Sequence, residues 1–119
     1  MATRAGTLVS NEAGKLIATW TGLLQPSSDV GASISMGPCI GMTVQLSGTL
    51  GTGGAVTMKG SNDGTNWGDL ADPVIGTPVV LDAIGEMSFI GNRPLYIRPE
   101  VTAGDGATNL TVIVVADRT

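Results

Sequence analysis

The residues best suited to bind a ligand or to catalyse a reaction lie in one short stretch, GSNDGTNWGDL, at residues 60–70. Two acids, Asp63 and Asp69, lie there beside two asparagines and one of only two tryptophans in the chain. Clustered oxygen ligands suit Ca²⁺, and two carboxylates at a set separation suit glycoside hydrolysis. The stretch is therefore either a ligand site or a sharp corner between strands.

The corner interpretation accounts for most of these residues. Asp63-Gly64 fits a two-residue hairpin turn in which both central residues take positive φ, and Asn62 can cap the backbone from its side chain. Trp67 then returns the chain to the core as one large apolar anchor. We therefore predict a structural corner formed by Asn62, Asp63, Gly64 and Trp67.

The alternative sites have weaker support. The acids of the corner lack the alternating ligands and the distant bidentate glutamate of an EF-hand. A hydrolase pair, Asp63 with Asp69 or Glu86 with Glu100, has no sequence feature that predicts a raised pKa or a concave sugar site. The glycines at residues 51–54 lack the lysine and helix of a phosphate loop. We predict a protein that is not an enzyme, with no catalytic residue, metal or cofactor.

Composition excludes further functions. The chain has 119 residues, no histidine and one cysteine, Cys39, so it cannot build a Ser-His or Cys-His nucleophile or an intrachain disulfide. The formal charge of -4 argues against direct nucleic-acid binding, which depends on basic residues that neutralise phosphates. No apolar run suits a signal peptide or a bilayer span, so we expect synthesis in the cytoplasm and no membrane partner.

The spacing of turn residues predicts an all-β fold. Turn residues recur about every eight to twelve positions, with short β-rich stretches between them. Residues 42–47 alternate, with Met42, Val44 and Leu46 on one face, and this strand is predicted to form a hairpin with residues 56–59. Residues 16–24 also show helical spacing, but Gly22 and the β-branched residues favour a strand. Further strands are predicted at residues 32–36, 79–81, 86–90, 95–101 and 110–115.

These strands predict a jelly-roll-like antiparallel β-sandwich of about eight strands. Residues 13–119 form the sandwich domain, and residues 1–12 form an N-terminal arm, either a frayed terminus or a segment that orders on a neighbouring subunit. Pro99 cannot donate to a ladder, which predicts an edge or a bulge in its strand. One predicted strand presents Tyr96, Arg98 and Glu100 outward, while its Leu95, Ile97 and Val101 point inward. Another leaves Ile113 and Val115 to be covered by a loop, a second sheet or another chain.

Three segments, TWTGLL, MTVQLSGTLGTGGAVTMKGSNDGTNWGDLADP and YIRPEVTAGDGATNLTVIVVA, resemble a group of small virion proteins of tailed phages. The resemblance covers roughly residues 18–116. The chain departs from the pattern at Met58-Lys59, where an acidic residue is usual, and at Pro38-Cys39, which is inserted before the third strand. The corner also resembles a structural turn in discoidin-like and other carbohydrate-binding jelly rolls.

The resemblance implies a structural protein of the virion, a capsid decoration or cement protein synthesised in the host cytoplasm. It implies the phage major capsid protein as partner, a place on the outer capsid surface and no catalytic residue. We also expect a homo-oligomer, a dimer or a trimer. The alternatives are a tail or neck component and a carbohydrate-binding module that uses Trp67 or Tyr96. Candidate contacts are Ala2, Leu8, Tyr96, Arg98, Glu100, Ile113 and Val115.

Overall fold

The computed structural model describes residues 2–10, 14–24, 29–35 and 39–118. Strands account for the regular structure of these residues, and within them no helix is long and apolar enough to cross a membrane. In chain order the strands are β1 (Thr3–Arg4), β2 (Gly6–Ser10), β3 (Lys15–Leu24), β4 (Val30–Gly31), β5 (Cys39–Thr49), β6 (Ala55–Ser61), β7 (Gly68–Asp69), β8 (Val80–Leu81), β9 (Met87–Ile90), β10 (Tyr96–Ala103) and β11 (Asn109–Arg118).

The strands form two sheets. The six-stranded sheet has the order β1-β4-β10-β6-β7, with β8 also paired to β6, and the five-stranded sheet has the order β2-β3-β11-β5-β9. Only β1 and β4 pair in parallel among the described strands. The predicted all-β fold is confirmed. The strands outnumber the predicted eight because β1 and β2 form within the predicted arm and β7 forms after the corner.

The core lies between the sheets and is mostly aliphatic. Alternation along each strand places every second side chain inward, so Met42, Val44 and Leu46 of β5 are buried as predicted. They belong to one cluster with Val56 and Met58 of β6, on the other sheet. β3 is a strand as predicted, and its Trp20 is the largest fully buried side chain of the described residues.

Trp20 is packed against backbone. Its Nε1 donates to the Ala32 carbonyl at 2.8 Å, which satisfies the one polar atom of the indole. A Cβ on Gly6 would lie 2.6 Å from that nitrogen, and a Cβ on Gly31 would lie 2.5 Å from Trp20 Cδ1 and 2.6 Å from Pro99 Cδ. The indole therefore requires glycine at both positions, one on β2 and one on β4.

The predicted hairpin between residues 42–47 and 56–59 is wrong. β5 pairs with β11 and β9, whereas β6 pairs with β10, β7 and β8. Gly51 and Gly53 take φ of 68° and 70°, a region open to glycine, and the chain crosses there from one sheet to the other. The two apolar faces thus meet across the core and do not lie side by side.

β10 is an interior strand, so the predicted edge position of Pro99 is also wrong. The amides of Ile97 and Val101 donate toward the β4 side, to Ile34 and Asp29 at 3.0 and 2.9 Å. Pro99 lies between them and faces Gly31, so its missing N–H falls where the ladder to β4 is interrupted. The bulge lies further on, between Val101 and Ala103.

Two smaller differences concern the ends of strands. Leu95 precedes β10 and is exposed, although it was predicted to point inward. The strand predicted at residues 32–36 lies instead at Val30–Gly31, with one bridge from Ile34 to Ile97. Residues 36–38 lie outside the described residues.

The predicted arm lies against the sandwich over its described residues. β1 pairs with β4 in one sheet, and β2 pairs with β3 in the other. Arg4 Nε is 2.6 Å from the Oδ2 of Asp29, a fully buried carboxylate that also accepts from the Leu24 amide at 2.9 Å. The predicted boundary between residues 12 and 13 falls outside the described residues.

Replacing Gly31 with Ala should destabilise the protein by about 2 kcal/mol, because the new methyl group overpacks the indole of Trp20. Gly106→Ala is the matched control, since a Cβ there meets no atom within 4 Å and the backbone is not left-handed. Urea unfolding followed by circular dichroism measures both free energies of unfolding. Equal stability of the two variants would contradict this packing.

Candidate interaction surfaces

The corner at residues 62–67 joins β6 to β7. The ladder closes at Gly60 with Gly68 and at Lys59 with Asp69, so the connection is longer than the predicted two-residue turn. That prediction is therefore wrong in length. Gly64 does take a positive φ of 77°, which an L-residue adopts with strain.

Asp63 holds this corner together. Its Oδ1 accepts from the amides of Asn66 and Thr65 at 2.8 Å each and from the Ser61 hydroxyl at 2.9 Å. Its Oδ2 accepts from Asn66 Nδ2 at 2.7 Å. The hydrogen bonds from the Asn66 and Thr65 amides, followed by those from the two side chains, hold the pKa of Asp63 far below its usual range. Both oxygens of the carboxylate are thus engaged within the loop.

The remaining corner residues have other roles than predicted. Asn62 does not cap its own loop: its Oδ1 accepts from the Leu95 amide at 3.0 Å and ties the corner to the start of β10. The cap within the loop comes from Ser61, whose Oγ accepts from the Gly64 amide at 2.8 Å. Ser61 and Asp63 thus cap the loop through a short side-chain-to-backbone motif, in place of the cap predicted for Asn62.

Trp67 is half-buried on the outer face of the six-stranded sheet. The prediction that it returns the chain to the core is wrong. The guanidinium carbon of Arg98 lies 4.1 Å from its ring centroid, a cation–π contact. In register, Arg98 lies opposite Lys59, which forms an ion pair with Asp69. Tyr96 and Glu100 extend the same face, so the three residues predicted to point outward from β10 do share one surface.

A cleft of about 530 Å³ opens beside the corner, lined by Gly60, Ser61, Asn62, Asp63, Asn66, Gly68, Asp69, Leu70, Asn92, Arg93 and Pro94. Its acids and amides already hold other groups: Asn92 Oδ1, for example, accepts from the Ala71 amide at 2.7 Å. Trp67 is not part of its lining. Across the described residues, no three His, Cys, Asp or Glu side chains are grouped so as to hold a metal ion.

Two more loops are held by an aspartate. Asp105 accepts from the Ala107 amide at 2.9 Å and from the Thr52 amide at 3.0 Å, and these bonds lower its pKa. Asp72 Oδ1 accepts from the amides of Val74 and Ile75 at 2.7 and 3.1 Å. Acids that could have been ligands or catalysts therefore shape three loops.

The loop at residues 72–77, here called the apolar knob, presents Val74 and Ile75 to solvent. The two side chains are 87% and 75% exposed. Besides the Asp72 side chain, the Asp72 amide donates to Thr77 O and the Gly76 amide donates to Asp72 O, each at 2.9 Å. Sequence reasoning missed this knob, although two apolar residues between Asp-Pro and Gly are an unusual content for a turn.

The outer face of the five-stranded sheet carries a second apolar surface. The register aligns Val9, Ile17, Val115, Thr43 and Phe89 in one row across all five strands. The next row contains Thr7, Thr19, Ile113, Gln45 and Met87. Val9, Met87 and Phe89 are exposed, and Ile17, Ile113 and Val115 are half-buried.

The predicted contact residues therefore fall on several surfaces. Ile113 and Val115 lie at the middle of the five-stranded sheet, on β11. Leu8 pairs with the inward-facing Ala18. It therefore lies on the inner face of the sheet, opposite to Ile113 and Val115, on the edge strand β2. Ala2 accepts from the Val30 amide at 2.9 Å, beside β4. The structure does not bring these residues together with the Tyr96, Arg98 and Glu100 face.

Comparison with protein-family models and with curated proteins finds no match. The fold defines a two-sheet all-β protein. A solved structure has a similar fold. That structure is the SPBc2 prophage-derived protein YomS, with a TM-score of 0.61 and 14% sequence identity, over 92% of this chain and 98% of that chain. At this identity, the likeness shows a shared fold.

Replacing Asp63 with Asn should lower the melting temperature at neutral pH and matter less in acid. The folded pKa of Asp63 is depressed, so its stabilisation is full above the unfolded pKa of about 3.9 and is lost as the pH falls toward the folded pKa. Thermal melting of both proteins from neutral to acidic pH tests this. The difference in melting temperature should narrow below about pH 4; a constant difference would contradict the assignment. Asp105→Asn should follow the same trend.

Proposed function

We propose that this chain is a non-enzymatic structural protein of a phage virion, a decoration or cement protein that binds the outside of the head across major capsid protein subunits. The observation that carries the proposal is the apolar knob, a pre-shaped apolar contact on a rigid sandwich. The similarity between the fold of this chain and that of a prophage-derived protein supports a phage origin. The sequence resemblance to tailed-phage virion proteins supports the same assignment.

The knob is suited to docking because its shape is fixed in advance. Val74 and Ile75 project from a loop whose backbone is held by four hydrogen bonds involving Asp72. A partner that receives these side chains gains apolar burial with little loss of loop entropy. Such a small contact is weak alone, but it is multiplied when many copies bind one symmetric shell.

The fold suits a cement role because it resists deformation. The core clusters buried side chains of both sheets, and three connecting loops are tied by aspartates. A rigid body bound across a subunit boundary resists separation of the two subunits, which internal DNA pressure promotes. Asp63 of the corner fits such a role, since its hydrogen bonds hold the loop.

The test uses DNA-filled heads from the encoding phage after deletion of this gene. Purified wild-type protein should co-sediment with these heads and raise the temperature at which they release DNA. Ile75→Asp should lose most of this binding, because a carboxylate would replace the apolar contact. Ile84→Asp, an exposed isoleucine in another loop, is the matched control and should bind as wild type.

Two outcomes would each contradict one part of the proposal. Failure of the wild-type protein to bind heads, together with its recovery in purified tails, would assign it to the tail or neck. Binding that Ile75→Asp leaves unchanged would reject the knob as the contact while leaving the virion role in place.

A further inference from the structure

The outer face of the five-stranded sheet has an apolar centre with no charge. Its two rows place six large apolar side chains among threonines and one glutamine. Among the outward-facing residues of these strands whose side chains are described, the charged ones are Lys15 and Asp117, which form an ion pair with each other at one end. The ordinary outer face of a solvated sheet is polar.

We propose that a second copy of this chain binds this face, so that two five-stranded sheets stack about a twofold axis over β11. Stacked sheets lie about 10 Å apart and align within about 30°. β11 is the middle strand of the five, so an axis there gives the greatest overlap. It places Ile113 and Val115 of one copy against the same residues of the other, as an isologous contact requires.

The available area is sufficient for a specific dimer. The five strands contain five, ten, ten, eleven and four residues. With strands about 4.8 Å apart and residues about 3.3 Å apart along them, the sheet covers about 600 Å². Two copies would bury about 1,200 Å², at the lower end of specific interfaces.

The distribution of charge favours a like partner. Two copies with a formal charge of -4 each repel one another, and this face lets them approach where neither carries net charge. A strongly charged partner would find no complementary charge among the outward residues described above. The inference goes beyond the proposed virion role and does not depend on it, because the knob presents Val74 and Ile75 whereas this face is centred on β11. The two surfaces adjoin at a small pocket that Pro73 and Phe89 both line.

The experiment is sedimentation equilibrium of the pure protein over a wide concentration range. Wild type should be a dimer, and Val115→Glu should weaken association by about a hundredfold or more, because each copy would bury an unpaired carboxylate. Val80→Glu makes the same change at an exposed valine of the six-stranded sheet and should remain dimeric. Circular dichroism and thermal melting check that each variant is folded.

A second measurement keeps the test independent of the charged variant. Val115→Cys, in a Cys39→Ser background, should be joined between chains by a bismaleimide reagent of about 10 Å span, because sheets about 10 Å apart hold the two thiols beyond disulfide reach, whereas Val80→Cys should not be joined. A monomeric wild type without this crosslink would overturn the proposal. So would a dimer that folded Val115→Glu leaves intact. A monomer whose Val115→Glu variant no longer binds heads would assign the face to the capsid and overturn self-association.

Discussion

The close packing of Trp20 between two glycines is the constraint on which the rest of the sandwich depends. Its ring extends from β3, in the five-stranded sheet, and contacts the backbone of Gly31 in the other sheet. Gly6 on β2 lies against the same ring. One side chain thereby fixes the separation of four strands, since Pro99 of β10 also packs on Gly31. In a chain with 3% aromatic residues, no second ring could replace this contact in the core described.

Acidic residues serve the backbone in this protein. Asp63, Asp72 and Asp105 each accept amide hydrogen bonds from the loop that follows. At Asp63 and Asp105 these bonds stabilise the charged form and lower the pKa, so both carboxylates are poor proton donors or acceptors near neutral pH. The acidic side chains that the sequence offered as ligands or catalysts thus stiffen loops. In the apolar knob, this stiffening holds the apolar side chains outward at defined positions.

Alternation along a strand predicts which face a residue occupies, and this part of the sequence reasoning is confirmed at Val44, Val112 and Ile97. Alternation does not reveal which strands pair, because the partners are distant in the chain. The hairpin error has this origin: β5 pairs mainly with β11, sixty or more residues away in sequence. Trp20 follows β-favouring residues and Trp67 follows a turn, but only the tertiary structure shows that the first ring is buried and the second is half-buried. The knob escaped prediction because turn chemistry fixes backbone shape and leaves side-chain exposure open.

The arrangement at Asp63-Gly64 also affects the slow chemical degradation of the protein. Asp-Gly pairs are weak points in long-lived proteins, because the glycine nitrogen can attack the aspartate side chain and close a succinimide ring that reopens largely as isoaspartate. Here the Gly64 nitrogen donates to Ser61 Oγ at 2.8 Å, and the carboxylate is ionised and held by the amides of Thr65 and Asn66. Nucleophile and electrophile are thus both restrained, so the corner is protected against a slow covalent lesion that no chaperone or refolding step could reverse.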